Sequence, residues 1–172
     1  MAIKFGIYLK FEIWNFVIQK TNINNKMSVQ KYFTAENKLQ ITNSIKVAEK
    51  NTSGEIRVHI ESRCKGEVLD QAAYIFEKLE IHKTELRNGV LFYLAVDDHK
   101  FAILGDVGIN QKVPEDFWDS IKESVVAKFK EGLYSEGLAE GIIKAGEQLK
   151  EHFPYQDDDV NELSDEISFG EK

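Results

Sequence analysis

Cysteine is all but missing: Cys64 is the only one in 172 residues. An intrachain disulfide is therefore impossible, and a zinc site built from cysteine clusters is excluded. Cys64 stands between Arg63 and Lys65, which favours a thiolate, but no base accompanies it, so it reads as an ordinary thiol and not a nucleophile. Basic charge is also short. Lysine and arginine number 22 against 29 aspartates and glutamates, giving a net charge of −7 and a pI near 5.2. No basic patch is interleaved with aromatics, so a nucleic-acid partner is excluded. Long apolar runs are missing as well, and none reaches the roughly 18 to 20 residues of a membrane span. The four histidines, His59, His82, His99 and His152, show no metal-ligand spacing. There is no His-Glu-x-x-His, no Walker loop and no Gly-x-Ser-x-Gly.

The first 26 residues mix Phe5, Ile7, Leu9, Phe11, Ile13 and Trp14 with Lys4, Lys10 and Glu12. Lys10 and Glu12 interrupt what a signal peptide needs as a continuous apolar core. An interfacial amphipathic helix is one reading. The preferred reading is that Met27 is the true start and that residues 1–30 are a spurious or weakly ordered extension, which implies a cytoplasmic protein; the chain is also expected to be a monomer. Residues 31–154 are expected to form one domain. Residues 155–172 carry Asp157, Asp158, Asp159, Glu162, Asp165, Glu166 and Glu171 against a single Lys172, and read as a disordered acidic tail.

What is present is a pattern of alternating periods. Val90-Leu91-Phe92-Tyr93-Leu94-Ala95-Val96 follows Arg87-Asn88-Gly89 and precedes Asp97-Asp98-His99-Lys100. This short β-branched and aromatic run reads as a strand buried on both faces, and Phe101-Ala102-Ile103-Leu104 makes it a β-hairpin. Upstream, Ile56, Val58 and Ile60 alternate with Glu55, Arg57, His59 and Glu61, as in a strand covered on one face or near a sheet edge. Helical spacing separates the two strands over 68–79, which implies a right-handed parallel crossover. Thr34 is the expected N-cap of an earlier helix that stops near Thr52-Ser53-Gly54. Val107-Gly108-Ile109 reads as a loop. Pro114 is expected at the first position of a helix that Gly132 stops. A last helix, over about 135–153, carries Gly137, Gly141 and Gly146, so it must depend on packing close to a neighbour. The fold class is α/β: a three-to-four-stranded mixed sheet flanked by helices, with a βαβ crossover and a β-hairpin.

This topology brings Thr52, Ser53 and Glu55, Arg87 and Asn88, and residues 105–115 to one end of the sheet. Ser-Gly, Asn-Gly and Gly-Asp are also what tight turns require. The same stretches carry a resemblance. Ala48-Glu49-Lys50-Asn51-Thr52-Ser53-Gly54-Glu55-Ile56-Arg57-Val58 resembles the opening of a TPM domain. So do Thr84 with Arg87-Asn88-Gly89-Val90-Leu91, Gly105-Asp106-Val107-Gly108-Ile109, the pair Phe117-Trp118, and the later Asn161-Glu162-Leu163. That family groups bacterial proteins with a thylakoid-lumen protein of photosystem II repair. The resemblance implies a mixed sheet flanked by helices, divalent-cation binding by acidic loops, usually calcium, and in plant members an acid phosphatase activity. Plant-type members carry an aspartate-rich pattern after the third strand, where this chain has Glu115 and Asp116. The expectation is a Ca2+ (or Mg2+) site formed by Asn88, Asp106, Glu115 and Asp116, with Glu55 contributing. Its role is that of a non-catalytic binding module that acts through an unidentified protein partner, with a metal-dependent acid phosphatase as the alternative.

Overall fold

The computed structural model describes residues 12–13, 29, 32–156 and 160–170. The apolar run after Gly89 is the middle of the sheet. Strand β1 is Glu12–Ile13, β2 is Ile56–Glu61, β3 is Val90–Ala95, β4 is Lys100–Gly105 and β5 is Ser168–Phe169. Their order is β1-β4-β3-β2-β5. β2 and β3 are parallel, with Ile56 opposite Val90, and β3 and β4 are antiparallel, with Ala95 opposite Lys100. The βαβ crossover and the four-residue hairpin turn are therefore as expected. So is the fold class, with a two-residue strand added on each edge. The expected weak order of 1–30 falls almost wholly outside the described residues.

The helices are α1 (Ala35–Glu49), α2 (Val68–Lys78), a single turn α3 (Val107–Asn110), α4 (Phe117–Lys130) and α5 (Tyr134–His152). Side chains alternate across a strand, so each face of the sheet builds its own core. Ile56, Val58, Ile60, Phe92, Leu94, Phe101 and Ile103 meet α1, α4 and α5. Leu91, Tyr93, Ala95, Ala102 and Leu104 meet Val68, Ala72, Ile75 and Phe76 of α2. Thr34 caps α1 as expected, accepting from Asn37 N–H at 3.1 Å while the Asn37 side chain accepts from Thr34 N–H. The glycines of α5 serve close packing: a Cβ on Gly146 would lie 2.7 Å from Ala48 Cα on α1.

Four expectations need correction. Val107-Gly108-Ile109 is not a loop but part of α3, because Asp106 caps it by accepting from Val107 N–H at 2.7 Å. α4 begins at Phe117, so Pro114 lies in the preceding turn, with Phe117 N–H bonded to its carbonyl at 3.1 Å. β2 does lie next to a sheet edge, with only the two-residue β5 outside it, but it is buried at all six positions and not on one face only. The polar face of β2 is covered too, for Arg57, His59 and Glu61 are each less than 10% exposed.

The last correction concerns the acidic tail. Residues 160–170 run back along the sheet, and β5 pairs in parallel with β2, His59 opposite Ser168 and Ile60 opposite Phe169. Leu163 packs with the α2-side core, and Ile167 and Phe169 with the other. Lys38 Nζ sits 5.1 Å from the Phe169 ring centroid. These few apolar anchors and the sheet bonds outweigh the ordering entropy that the charge density of the segment suggested would prevail. Residues 157–159 lie outside the described residues.

Candidate functional site

The parallel crossover and the hairpin bring three loops to one end of the sheet. Val90 N–H donates to the Glu55 carbonyl at 2.8 Å, and Asp106 N–H to that of Gly89 at 2.9 Å. Glu55, Asn88 and Asp106 thus share that end by their backbones, while their side chains go separate ways.

Asp106 is 3% exposed and fully engaged. Arg87 Nε donates to its Oδ2 at 2.7 Å and Nη2 to its Oδ1 at 2.8 Å, and Oδ1 also caps α3. Arg87 holds this fork from a left-handed backbone, φ +52°. The bidentate charge-assisted pair helps to offset that strain. Asp106 is accordingly a structural fastening of the turn and not a loop carboxylate open to solvent.

Asn88 is fully buried. Its side-chain amide donates to the Ser53 carbonyl at 3.1 Å, and its backbone N–H donates to Thr84 Oγ1 at 3.2 Å. Among the described residues its Oδ1 has no hydrogen-bond partner. Glu115 and Asp116 lie exposed in the turn before α4. Glu115 borders a cleft of about 140 Å3 with Asn110, Val113, Pro114 and Trp118. Trp118 Nε1 donates to Asn110 Oδ1 at 2.8 Å there, and Asn110 donates to the Gly105 carbonyl at 2.6 Å.

Glu55 faces a second cleft, about 210 Å3 in volume, between the C-terminal end of α1 and the returning segment 160–165. Glu49, Ser53, Asn161 and Asp165 line it, with Lys46 and Lys50 among its walls. Glu55 is 5% exposed. Its Oε1 accepts from Glu162 N–H at 2.9 Å and the Leu163 N–H also bonds the carboxylate, while among the described residues the buried Oε2 has no partner of its own. Burial, with Glu162 and Asp165 nearby, pushes its carboxyl up to about 7 against two backbone bonds that oppose the shift. Glu49 accepts from Ile56 N–H at 2.6 Å. Burial above all lifts Glu49 to about 9, and Glu55 and Asp165 add to the shift. Arg57 is a further cation near the cleft: burial lowers its pKa while Glu49, Asp165, Glu166 and Glu55 favour its charge, and among the described residues its Nη1 has no partner. Among the described residues, no three Asp, Glu, His or Cys side chains already surround one point as a metal cage.

Of the five expected site residues, only Glu55 lines this cleft. Sequence reading missed Glu49 and Asp165. Glu49 sits on a helix that was read for its apolar stripe, and Asp165 in a segment read as solvated. The available signal was the alternation of Ile167 and Phe169 beyond Leu163, which marks a segment with something to bury.

The geometry can be set beside known proteins. The TPM domain matches over residues 28–148, most of the described chain. The chain belongs to the TPM domain family. No curated protein matches it. The NMR structure of BA42 protein, from the psychrophilic bacterium Bizionia argentinensis, is similar at 44% identity, with a TM-score of 0.76. That likeness covers 88% of this chain and 100% of BA42. Among the described residues of this TPM domain, no helix is long and apolar enough to cross a membrane.

Proposed function

We propose that this TPM domain is a non-catalytic binding module for a divalent cation, calcium before magnesium, held in the cleft at Glu55. One observation carries the reading: a buried carboxylate oxygen, Glu55 Oε2, that finds no partner among the described residues, on a cleft that Glu49 and Asp165 also line. A buried carboxylate left half-satisfied is costly, and a cation or a proton is what relieves it. Calcium takes about six to eight oxygens, including carbonyl and amide oxygens, in flexible geometry. Glu49, Glu55 and Asp165 with the oxygens of Ser53 and Asn161 suit that tolerance better than the strict octahedron of magnesium. Asn88 holds the Ser53 loop in place. Asp106, already paired with Arg87, and Glu115 and Asp116, in the turn before α4, lie apart from this cleft.

Binding displaces protons from Glu55 and Glu49, so apparent affinity rises with pH through about 7 and towards about 9. Calorimetry of calcium binding in buffers of different ionisation enthalpy measures this release directly. Chemical-shift changes confined to 49–55 and 161–165 support the reading, and their absence at saturating calcium refutes it. The second reading, a metal-dependent phosphatase, draws on Lys46 and Lys50 at the same cleft, which could meet a phosphate once a cation lay between it and the carboxylates. Phosphate-ester turnover that needs both the metal and these lysines would favour it over the binding module.

A further inference from the structure

The cleft at Glu55 has two unlike walls above its acidic groups. One wall carries Lys46 and Lys50, a helical turn apart at the C-terminal end of α1. The dipole of α1 favours lysines there, but it leaves their ammonium groups unused. Both are exposed, and neither takes part in an ion pair or hydrogen bond among the described residues. The other wall carries Tyr155, 50% exposed, and Val160, 76% exposed. Val160 is the most exposed of the large apolar side chains among the described residues. A single exposed apolar side chain is ordinary. Here two of them border one cleft together with two free cations.

We infer that this cleft takes the C-terminal carboxylate of another polypeptide whose last residue is apolar. Lys46 and Lys50 pair with the carboxylate, and Tyr155 and Val160 cover the last side chain. The inference rests on the binding reading given above, because Glu49, Glu55 and Asp165 turn an anion away until a cation neutralises them. Calcium accepts about six to eight oxygens, so an incoming carboxylate adds to those of the cleft. Size selects the occupant. A volume of about 210 Å3 lies below the roughly 300 to 1,000 Å3 of sites for drug-sized ligands, and suits one residue. Shape selects it further. In a C-terminal residue the carboxylate and the side chain diverge from a single Cα, as a cationic wall and an apolar wall require. The side chain of an internal aspartate or glutamate supplies the anion without the apolar group. Capture of a chain terminus by its carboxylate is a recurring mode of peptide recognition.

Calorimetry and amide chemical-shift mapping of the full chain test this with one probe, the peptide acetyl-Ser-Gly-Leu, as free acid and as C-terminal amide. Calcium is titrated alone first. At saturating calcium the free acid should bind and shift the amides of 46–53 and 155–165, and amidation should weaken it about tenfold or more. Lys46→Gln with Lys50→Gln should weaken the peptide about fivefold without lowering calcium affinity. Val160→Ser should weaken it about threefold. An amide that binds as well as the acid overturns the inference, and so does full peptide affinity in both of these variants. Calcium-dependent dimerisation that the peptide does not reverse also overturns it, since the occupant is then a second copy of this chain. Calcium that binds while the free acid does not overturns the inference and spares the binding reading. Calcium that does not bind overturns the binding reading, and the inference with it.

Discussion

A Cβ at residue 89 would lie 2.4 Å from Ile81 Cγ2 and 2.9 Å from the Ile81 carbonyl oxygen. Gly89 is therefore required by close approach, while the left-handed backbone of this turn falls on Arg87, whose φ is +52°. The side-chain methyl of Ile81 can shift but the carbonyl cannot, so Gly89→Ala should cost about 1–3 kcal/mol, read as a lower denaturation midpoint at unchanged slope. Asp106 calls for a different test. Removing its carboxylate deletes a helix cap and leaves Arg87 without its fork, but Arg87 is 42% exposed and can take water instead. Asp106→Ala should then cost about 2 kcal/mol, nearer the value of a lost cap than of a broken buried ion pair. Calcium affinity, measured on the folded variant, should be unchanged. A large loss of affinity with little loss of stability would return Asp106 to the cation site. Gly89 was legible in the sequence through its Asn-Gly turn; the commitment of Asp106 to Arg87 was not, because the two are 19 residues apart and meet only through the hairpin.

At the scale of elements, α1 and α5 meet where Gly146 faces Ala48. An alanine at 146 gains up to about 1 kcal/mol of helix propensity. Its Cβ, however, would lie 2.5 Å from Ala48 Cβ and 2.7 Å from Ala48 Cα, and overpacking costs about 1–3 kcal/mol. The contact wins, so Gly146→Ala should lower stability in denaturant unfolding despite the better helix former. Which elements were legible follows from where their information lies. β2, α1, α2 and α5 each carry a period of two or of 3.6 in their own residues, β3 and β4 are unbroken apolar runs, and their pairing follows from chain order. The start of α4 was placed too early because Pro114 suits a turn as well as a first helical position. α3 is one turn long, too short to show a period. β5 is two residues within a strongly acidic stretch, and only the residues it meets on β2, 109 positions earlier, explain its order. The cleft was illegible for the same reason, since one wall comes from residues 46–55 and the other from residues 155–165.

Across the whole molecule, three titratable groups, the buried Glu55 and His59 and the half-buried Glu49, set opposing pH dependences. Glu49 and Glu55 have raised pKa values, so the stability they contribute is fully present below their ordinary value near 4.5 and is lost as pH rises through about 7 and then about 9. His59 is held down to about 4, first by burial and then by Lys78 and Arg57. It is kept neutral in the fold, so acidification from its ordinary 6.5 towards 4 removes stability. Between 4.5 and 6.5 the histidine offsets one of the two glutamates; above 6.5 only the glutamates act. Without metal, the melting temperature should therefore be highest in mild acid and fall on the alkaline side. Saturating calcium should raise it there by mass action, and a pH profile measured with and without calcium checks both signs. The returning segment, residues 160–170, has a further consequence, for synthesis. β2, β3 and β4 are complete once residue 105 is made, but the strand that closes the outer side of β2 is not translated until 168–169. For that interval a nascent chain exposes a strand edge beside a hydrophobic sheet, the condition under which neighbouring chains on one message pair with each other.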